Sequence, residues 1–434
     1  MQQARSAFAR LRALQDGVPT PPGLTPVRLH LGESRLPSSG IDDLALLATG
    51  GWSRYPPLGG TEELRAAYRD WLERRFGVRE ALARGTVAVE PTPGTKQAVA
   101  LALARAVGRA GAAGASGVSG EAGGRVGGGR GGCAVVMPNP FYPTYHAATL
   151  AAGARPVFYD PDRGAAAVEE AVAAAGVPVA ALIVCNPGNP RGDLLSEAFL
   201  RDAAAAARAA DALFVVDECY TDLSFGRTPT GYLALVERSE AANGRFLVLH
   251  TLSKRSGAPG LRSGFAAGDA ETVADYAYHN RVCGVSTPLP VCSIAARLWR
   301  DDEHVELTRQ ALARNWELAD EILADVPHYR RAEAGFFLWL PVDDDEATAL
   351  RLWRDHALSV MPGRYFGAVG HDGVNPGAGH VRIALVHEEP LMREALLRLR
   401  DGMTTGVRTA ALLPSASASA SHRPPILQTK DTSR

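Results

Sequence analysis

Short apolar runs recur through the middle of the chain, and a polar or turn-forming residue follows each of them. Four such runs lie at residues 134–137, 181–185, 213–216 and 246–249, and Ala-rich segments separate them. Continuous apolar strands that alternate with helices are typical of a parallel sheet covered on both faces. The pattern therefore predicts an α/β fold, with polar residues gathered at the sheet edge where such folds bind their ligands.

The N-terminal part of the chain shows the spacing of apolar positions that helices require. We predict helices at residues 7–14, 62–75 and 97–109, with Thr61 as the N-cap of the second. Alternation of apolar and polar residues at 27–31 predicts a strand.

From about residue 290 the pattern changes to longer helices. We predict helices at residues 294–299 and 312–323 and a hairpin-like segment at 335–340. This change indicates a second, smaller α+β domain that also takes up the N-terminal strand. The predicted organisation is an N-terminal arm with part of the small domain at 1–44, a large domain at 45–289, the small domain at 290–402 and a tail at 403–434.

Two segments have compositions that do not support a packed core. Residues 108–132 are almost entirely Gly, Ala, Ser and Arg, and residues after 402 turn to Ser and Ala with Pro, Thr and Lys. Such segments bury too little apolar area to offset the entropy lost on ordering. We expect a flexible surface insertion at 108–132 and a disordered C-terminal tail.

Length and charge narrow the class of protein. The chain has 434 residues and a formal net charge of -1, so it has no overall attraction to nucleic acid. Its first 14 residues have no apolar centre, and no apolar run is long enough to span a bilayer. Five scattered cysteines indicate free thiols. We expect a cytoplasmic protein with neither a nucleic acid nor a membrane partner, and we predict no metal site.

Three polar residues follow predicted strands and are therefore expected to meet at one edge of the sheet. Lys254 comes after the last run, Asp217 directly after the third, and Asn189 in a turn after the second. Each has an ordinary explanation when taken alone: an exposed loop lysine, a helix N-cap and a βα turn. Together they suit a cofactor with an aldehyde, a pyridine nitrogen and a phenolic oxygen.

A second group of residues is suited to bind phosphate. Thr95 and Lys96 follow a glycine at the start of a predicted helix, whose first amides form an anion site. Thr251, Ser253 and Arg262 add two hydroxyls and a guanidinium.

These residues belong to a longer series of motifs. In chain order they are Tyr55-Pro56, Gly60 with Leu64-Arg65, Gly94-Thr95-Lys96, Asn139-Pro140-Phe141-Tyr142-Pro143, Asn189-Pro190, Asp217-Glu218-Cys219-Tyr220, Ser253-Lys254, Gly260-Leu261-Arg262 and Val381-Arg382-Ile383. With them, the chain from about Phe8 to about Arg400 resembles fold-type I, class I aminotransferases. The resemblance implies pyridoxal 5′-phosphate as cofactor, amino-acid and 2-oxo-acid substrates, and a mostly parallel seven-stranded sheet between helices beside a smaller α+β domain.

The resemblance also implies a role for each matching residue. Lys254 holds the cofactor covalently and moves a proton, Asp217 pairs with the ring nitrogen, and Asn189 and Tyr220 donate to the 3-oxygen. Tyr142 stacks on the ring, although an aromatic residue beside a proline is equally suited to a core. The phosphate is implied to lie among Thr95, Lys96, Thr251, Ser253 and Arg262, with Tyr55 of a neighbouring subunit completing the site of a homodimer.

The substrate site follows from the same resemblance. Arg382 is implied to bind the substrate α-carboxylate with both arms of its guanidinium, where a lysine would lose the fork geometry. Asn189 is implied to bind the substrate as well. Gly32 allows the backbone to approach the substrate.

A narrower resemblance is visible in the Asn139 to Tyr142 motif, in the Asp217 to Tyr220 motif, in residues 252–265 and in residues 372–377. These stretches are similar to bacterial N-succinyldiaminopimelate aminotransferases of lysine biosynthesis, which use L-glutamate as amino donor. Such a substrate has several carboxylates, so Arg281 and Arg364 are candidate partners, unless they are ordinary surface arginines. Arg191 and Ser34 depart from the family pattern, where threonine and proline are usual.

Other functions share these motifs. An aminotransferase for aspartate, alanine or aromatic amino acids and a carbon–sulfur β-lyase are alternatives, because the pocket rather than the cofactor chooses the substrate. A transcription regulator would need a DNA-binding module, for which too little sequence precedes Tyr55. A pseudoenzyme is opposed by the presence of Lys254, Asp217 and Arg382.

Overall fold

The computed structural model describes residues 6–36, 50–116, 132–239 and 244–411. The strands are β1 (Val27–Arg28), β2 (Val87–Thr92), β3 (Ala134–Pro138), β4 (Arg155–Tyr159), β5 (Val179–Cys185), β6 (Leu213–Asp217), β7 (Phe246–Thr251), β8 (Gly264–Asp269), β9 (Phe337–Pro341), β10 (Leu358–Ser359), β11 (Met361–Pro362) and β12 (His380–Ala384). The helices are α1 (Ala7–Gln15), α2 (Glu62–Phe76), α3 (Glu80–Ala83), α4 (Thr95–Ser116), α5 (Pro143–Ala151), α6 (Ala165–Ala174), α7 (Glu197–Ala209), α8 (Tyr232–Glu237), α9 (Leu252–Arg255), α10 (Ala270–Val282), α11 (Leu289–Arg300), α12 (Glu303–Ile322), α13 (Asp345–His356) and α14 (Glu389–Ala411).

A seven-stranded sheet in the order β2-β8-β7-β6-β5-β3-β4 forms the centre of the large domain. All neighbouring strands are parallel except β8, which runs antiparallel to β2 and β7. The α/β prediction is confirmed, and the four predicted apolar runs are β3, β5, β6 and β7. The sequence analysis missed β2, β4 and β8, because prolines in the first two and small residues in β8 hide the strand pattern.

The central strands are apolar throughout because helices bury both faces of the sheet. In β5, Leu182 and Val184 belong to one core, whereas Ala181 and Ile183 belong to the core on the opposite face. This arrangement leaves the strand ends as the places where polar side chains are accommodated.

The small domain is built around a three-stranded antiparallel sheet in the order β11-β12-β9. The predicted hairpin at 335–340 is wrong, because β9 pairs with the distant β12 rather than with a neighbouring segment. The predicted strand at 27–31 is only two residues long. It pairs with β10, and Val27 and Leu29 are buried in the small-domain core.

Helix α11 lies on the large-domain side, although residue 290 was the predicted start of the small domain. It packs against α2, and its buried Trp299 meets the rings of Tyr68 and Trp71 at centroid distances of 5.7 and 4.9 Å. Because α11 contributes to the core beneath the central sheet, we propose that the domain boundary follows Arg300.

Two helices extend further than the sequence analysis allowed. Helix α4 continues to Ser116, so the first part of the predicted insertion at 108–132 is helical. Helix α14 continues to Ala411, so the first part of the predicted tail is helical as well. In both segments, residues with good helix propensity, mainly alanine in α4, outweigh the glycines. Residues 117–131 and 412–434 lie outside the described residues, and the predictions for them stay predictions.

None of the helices in the described ranges is long and apolar enough to cross a membrane.

Candidate active site

Residues from five segments meet where the parallel strands end. Asp217 is the last residue of β6 and Thr251 the last of β7, while Asn189 lies in the turn after β5. The small domain contributes Arg382 from β12, and the N-terminal segment contributes Gly32. The structure thus brings together the residues that the sequence analysis placed at separate strand ends.

Lys254 lies on the one-turn helix α9, which Thr251 caps by accepting a hydrogen bond from Ser253 N at 3.2 Å. The Lys254 amine donates to Gly32 O at 2.5 Å. Burial is the main cause that lowers the pKa of this amine to about 8. The charge of Arg382 acts in the same direction, and Cys219, Glu33 and Asp217 oppose it. A lysine with a lowered pKa is a ready nucleophile at neutral pH, because more of it is uncharged.

Asp217 is 3% exposed and accepts two hydrogen bonds within the protein. The Tyr145 hydroxyl donates to its Oδ2 at 2.7 Å, and Cys219 N donates to its Oδ1 at 3.2 Å. Burial raises the pKa of Asp217, whereas the bonds from Cys219 and Tyr145 and the charge of Lys254 lower it. A further cationic partner, such as a protonated pyridine nitrogen, would stabilise the ionised form of this buried carboxylate.

Arg382 is a buried cation that no carboxylate of the described residues pairs with. Its Nη1 donates to Asn189 Oδ1 at 3.1 Å and its Nη2 to His30 O at 3.2 Å, while Nε is buried without a partner. The guanidinium lies between the rings of Phe337 and Phe366, 3.8 and 4.1 Å from their centroids. Burial lowers its pKa to about 10, so it stays charged at neutral pH. This geometry suits the binding of a carboxylate from a ligand.

Aromatic side chains close the space around these charges. The Tyr220 ring centroid lies 5.8 Å from Lys254 Nζ, and the Phe336 centroid lies 5.4 Å from it. Tyr142 packs edge-on against Tyr145 at 5.5 Å. Burial raises the pKa of Tyr142, and its hydroxyl also experiences the charges of Asp217 and Arg382. Tyr142 and Tyr220 therefore lie at the site and not in a remote core.

Several of the predicted phosphate-binding residues form a cradle at the start of α4. Arg262 has a left-handed backbone with φ 51°, and its Nη2 reaches Pro93 O at 2.6 Å. A Cβ added to Gly94 would lie 2.8 Å from that Nη2, so a glycine is needed for the guanidinium to approach the helix N-terminus. Thr95 Oγ1 is buried beside Cys219 Sγ at 3.1 Å. The free amides of the first helical turn and Arg262 are the donors that a phosphate monoester requires.

The hydroxyls of Thr251 and Ser253 lie at the start of α9. Thr251 Oγ1 bonds to Ser253 Oγ at 3.0 Å and to Ser263 O at 3.1 Å, so it organises the turn. Lys96 is exposed, and only its backbone belongs to the helix start.

These groups fit the three functional parts of pyridoxal 5′-phosphate. The cradle suits its phosphate, the buried Asp217 suits its ring nitrogen, and the amine of Lys254 suits its aldehyde.

Tyr145, Cys219 and His30 are site residues that the sequence analysis missed. Tyr145 stands three residues after Tyr142 on the first turns of α5, and this spacing was the available signal. His30 supplies the carbonyl that holds Arg382, and burial lowers the pKa of its imidazole to about 4. No sequence motif marks it.

Some of the predicted residues lie away from this centre. Tyr55 is 99% exposed. Arg364 is bound by the carboxylates of Asp345 and Glu346, with Nε–Oδ1 at 2.6 Å and Nη1–Oε2 at 2.8 Å, so its charge is already paired and its role in substrate binding stays a prediction. Its partners precede it by 18 and 19 residues, a pairing that no local pattern indicates.

Two further arginines from the sequence analysis have other neighbours in the structure. Arg281 is exposed, and its Nη2 would lie 3.5 Å from a Cβ on Gly59. Arg191, where the family usually has threonine, forms ion pairs with Asp162 and with Asp193, whose Oδ2 lies 2.6 Å from its Nε. The charge of Arg191 is therefore paired with these two carboxylates, which are not among the residues that contact Arg382.

Comparison with known proteins adds independent findings. Residues 30–399 match the family model described as aminotransferase class I and II. The 4-dedimethylamino-4-oxo-anhydrotetracycline transaminase OxyQ of Streptomyces rimosus is 29% identical over 380 residues, 87% of this chain and 94% of that protein. An LL-diaminopimelate aminotransferase of Syntrophobacter fumaroxidans is 25% identical, across 80% of this chain and 82% of that protein. A solved aminotransferase from Neisseria meningitidis Z2491 has a TM-score of 0.77 and 29% identity, covering 93% of this chain and 98% of that chain.

Proposed function

Because the chain belongs to the class I and II aminotransferase family and is a pyridoxal-phosphate-dependent transaminase, we propose that Lys254 holds its cofactor. We further propose that the enzyme transfers an amino group from L-glutamate to N-succinyl-2-amino-6-oxopimelate. The products are N-succinyl-L,L-2,6-diaminopimelate and 2-oxoglutarate.

The observation that carries this proposal is a half-buried lysine amine near a buried guanidinium that has no carboxylate partner among the described residues. Lys254 and Arg382 come from different domains, and the charge of Arg382 lowers the pKa of the Lys254 amine. Removing a guanidinium from water without a counter-charge is costly. An amino acid or 2-oxo acid offers a carboxylate to Arg382 and its reacting carbon to Lys254.

The residues of this chain have distinct tasks in the transfer. When bound, pyridoxal phosphate supplies an aldehyde for covalent attachment and a ring that accepts electrons from the substrate Cα. The Lys254 amine holds that aldehyde and, once released, moves a proton to or from the substrate Cα. Asp217 keeps the ring nitrogen protonated, and its bond from Tyr145 fixes the carboxylate for that contact.

Orientation and exclusion of water follow from the packing. Arg382, held by Asn189 and by the rings of Phe337 and Phe366, fixes the substrate carboxylate and with it the direction of the Cα–H bond. Tyr220 and Asn189 donate to the 3-oxygen of the cofactor in this proposal. The buried rings around Lys254 keep bulk water from the reacting amine.

The substrate part of the proposal rests on sequence. The stretches Asn139 to Tyr142 and 252–265 resemble N-succinyldiaminopimelate aminotransferases, and the 25%-identical relative is named for LL-diaminopimelate. Arg281 remains a candidate for a distal carboxylate, since Arg364 is bound by its own acidic neighbours.

A second candidate is an aminotransferase for aromatic amino acids. The rings of Phe336, Phe337 and Phe366 surround Lys254 and Arg382, and this apolar lining favours an aromatic or aliphatic side chain. The two candidates share every step at Lys254 and differ only in the distal part of the pocket.

We also propose a homodimer. Trp52, Tyr55 and Leu58 are 57, 99 and 58% exposed, and Val282 at the end of α10 is 66% exposed. Gly59 lies beside Arg281, so this loop and the end of α10 share one face. Large apolar side chains at such exposure favour burial against a second copy of the chain.

Reduction of the loaded enzyme with borohydride tests the role of Lys254. The reagent fixes the cofactor to the lysine that holds it, and peptide mass spectrometry identifies the residue. We expect the modification on the peptide that contains Lys254, and none in a Lys254→Ala variant. A modification on Lys96 instead would overturn the assignment.

A further inference from the structure

Lys254 is followed by two buried residues that lead away from the active site. Arg255 is 3% exposed and Ser256 is 2% exposed. Both point toward residues 301–304, where α11 ends at Arg300 and α12 begins at Glu303. This short segment is the junction between the large-domain core and the small domain.

The Arg255 guanidinium joins three parts of the chain. Its Nη1 donates to Asp222 Oδ2 at 2.9 Å, and its Nη2 donates to Asp302 Oδ1 at 2.7 Å and to Asp301 O at 3.1 Å. The group lies against the rings of Trp71 and Trp299, at 5.6 and 5.4 Å. A planar fork with several partners restricts the orientation of the turn that carries it.

Ser256 makes a second connection to the same junction. Its Oγ lies 2.8 Å from Nε2 of the buried His304 in the first turn of α12. Asp301 caps this helix, since its Oδ1 accepts from Glu303 N at 2.8 Å and from His304 N at 3.3 Å. His304 Nδ1 is 3.1 Å from Asp301 Oδ2, but off the line of an N–H bond. Ser256 Oγ is closed off from substrate, so the arrangement holds structure and performs no nucleophilic attack.

Helix α12 also contacts the segment that follows the strand of Arg382. Further along it, the buried Asn315 Nδ2 donates to Leu385 O at 3.0 Å and to His387 O at 2.9 Å. These carbonyls follow directly after β12, the strand that carries Arg382. One helix therefore holds the turn of Lys254 through His304 and the strand of Arg382 through Asn315.

We propose that Ser256 and His304 are positioning residues, whose hydrogen bond fixes the amine of Lys254 relative to Arg382 through α12. The proposal rests on the proposed function, in which Lys254 holds the cofactor and Arg382 the substrate carboxylate. Productive transfer needs the Lys254 amine and the Arg382 guanidinium at fixed positions relative to each other. A small displacement of one of these groups is therefore expected to slow the reaction more than it destabilises the fold.

Four variants of the full chain test this positioning. Ser256→Ala and His304→Asn both remove the bond to the turn of Lys254. His304→Gln keeps a polar group at the place of Nε2. Thr308→Val is the matched control, since the buried Thr308 Oγ1 donates to His304 O at 2.9 Å one turn along the same helix. For each loaded enzyme, kcat, KM, the melting temperature and the pH titration of the cofactor–lysine absorbance are measured.

We expect kcat to fall about tenfold in Ser256→Ala and His304→Asn, as a misplaced reacting group predicts. The midpoint of the absorbance titration is expected to shift in the same two variants, because the surroundings of the amine change. His304→Gln should recover most of both effects, and Thr308→Val should change only the melting temperature.

Two results would overturn the inference. One leaves the proposed function intact, and the other overturns the proposed function as well. If all four variants give the kcat and titration midpoint of the wild type, the positioning role is wrong while the proposed function stands. If Lys254→Ala retains the cofactor–lysine absorbance, the proposed function is wrong and the inference falls with it.

Discussion

Lys254 and Arg382 are both cations in protected surroundings, and burial affects them differently. The pKa of Lys254 falls to about 8, within reach of neutral pH, whereas that of Arg382 falls only to about 10. We therefore propose that Lys254 exchanges protons during the reaction and that Arg382 keeps its charge for binding. At the scale of single residues, this difference separates the chemical task from the binding task.

Arg382→Lys tests the binding task. A lysine retains the charge but loses the fork that contacts Asn189 and His30. We expect kcat/KM for amino donors to fall about a hundredfold, since a hydrogen-bonded buried charge contributes about 3 kcal/mol. Bound cofactor, followed by absorbance, should be retained. Equal kcat/KM in the variant and the wild type would show that the carboxylate binds elsewhere.

Glu218, next to Asp217, is a buried carboxyl whose pKa burial raises from 4.5 to about 8. Its Oε1 accepts from Tyr232 N at 2.7 Å, while its Oε2 lies 3.5 Å from His250. Between these pH values the folded protein binds a proton that the unfolded chain has lost. The free energy of unfolding therefore falls as pH rises, by at most about 1.4 kcal/mol per pH unit for this proton.

Glu218→Gln removes that linkage. An amide keeps the acceptor for Tyr232 N and does not titrate. Thermal melts from pH 5 to pH 8 should fall less steeply in the variant than in the wild type, and the exposed Glu169→Gln should match the wild type. Parallel slopes for wild type and Glu218→Gln would show that Glu218 titrates near its ordinary pKa.

At the scale of elements, the start of α4 and the loop of Arg262 form one cradle. Gly94 has φ 95° and lies against the Arg262 guanidinium. In Gly94→Ala the new Cβ would meet Arg262 Nη2 at 2.8 Å and displace it. We expect affinity for pyridoxal phosphate to fall about tenfold, the effect of losing one charge-assisted hydrogen bond.

Gly85→Ala is the matched control for the cradle. Gly85 also has a positive φ of 68°, but a Cβ there meets nothing within 4 Å. It therefore carries the backbone strain without the clash. Titration of cofactor-free protein with pyridoxal phosphate, followed by absorbance, compares the two variants. If both lose affinity equally, the effect comes from strain and the cradle is not responsible.

How much could be predicted from the sequence also differs between elements. The strands β3, β5, β6 and β7 and the residues at their ends were predictable, because a buried parallel strand has a continuous apolar pattern and its polar neighbours must lie at one edge. Contacts made by distant segments were not. Tyr145 beneath Asp217, His30 behind Arg382 and the carboxylates around Arg364 depend on tertiary packing that no local spacing encodes.

At the scale of the whole molecule, Tyr55 and Lys254 are proposed to act together across a dimer interface. Mixing subunits tests this. A hybrid dimer of Lys254→Ala and Tyr55→Ala chains would have one site with both defects and one with neither. Random mixing of the two impaired proteins should therefore recover about a quarter of wild-type activity. Recovery is expected only after subunit exchange, and its absence in proven hybrid dimers would place Tyr55 in its own subunit's site or outside both.

The candidate active site combines residues of both domains, so it forms only when both domains are present. The large domain provides Lys254, Asp217 and the phosphate cradle, while the small domain provides Arg382. In the proposed function, the substrate therefore contacts both domains at once. We propose that Arg281 and the aromatic rings select the substrate in the distal part of the pocket.

The most direct measurement is the half-reaction of the loaded enzyme with single amino donors, followed by the absorbance of the cofactor. L-glutamate and N-succinyl-L,L-diaminopimelate are each offered, beside aspartate, alanine and phenylalanine. The account predicts rapid conversion to the amino form of the cofactor with the first two and slow conversion with the others. Rapid conversion by phenylalanine with no response to the succinylated compound would contradict the proposed substrate and support the aromatic alternative.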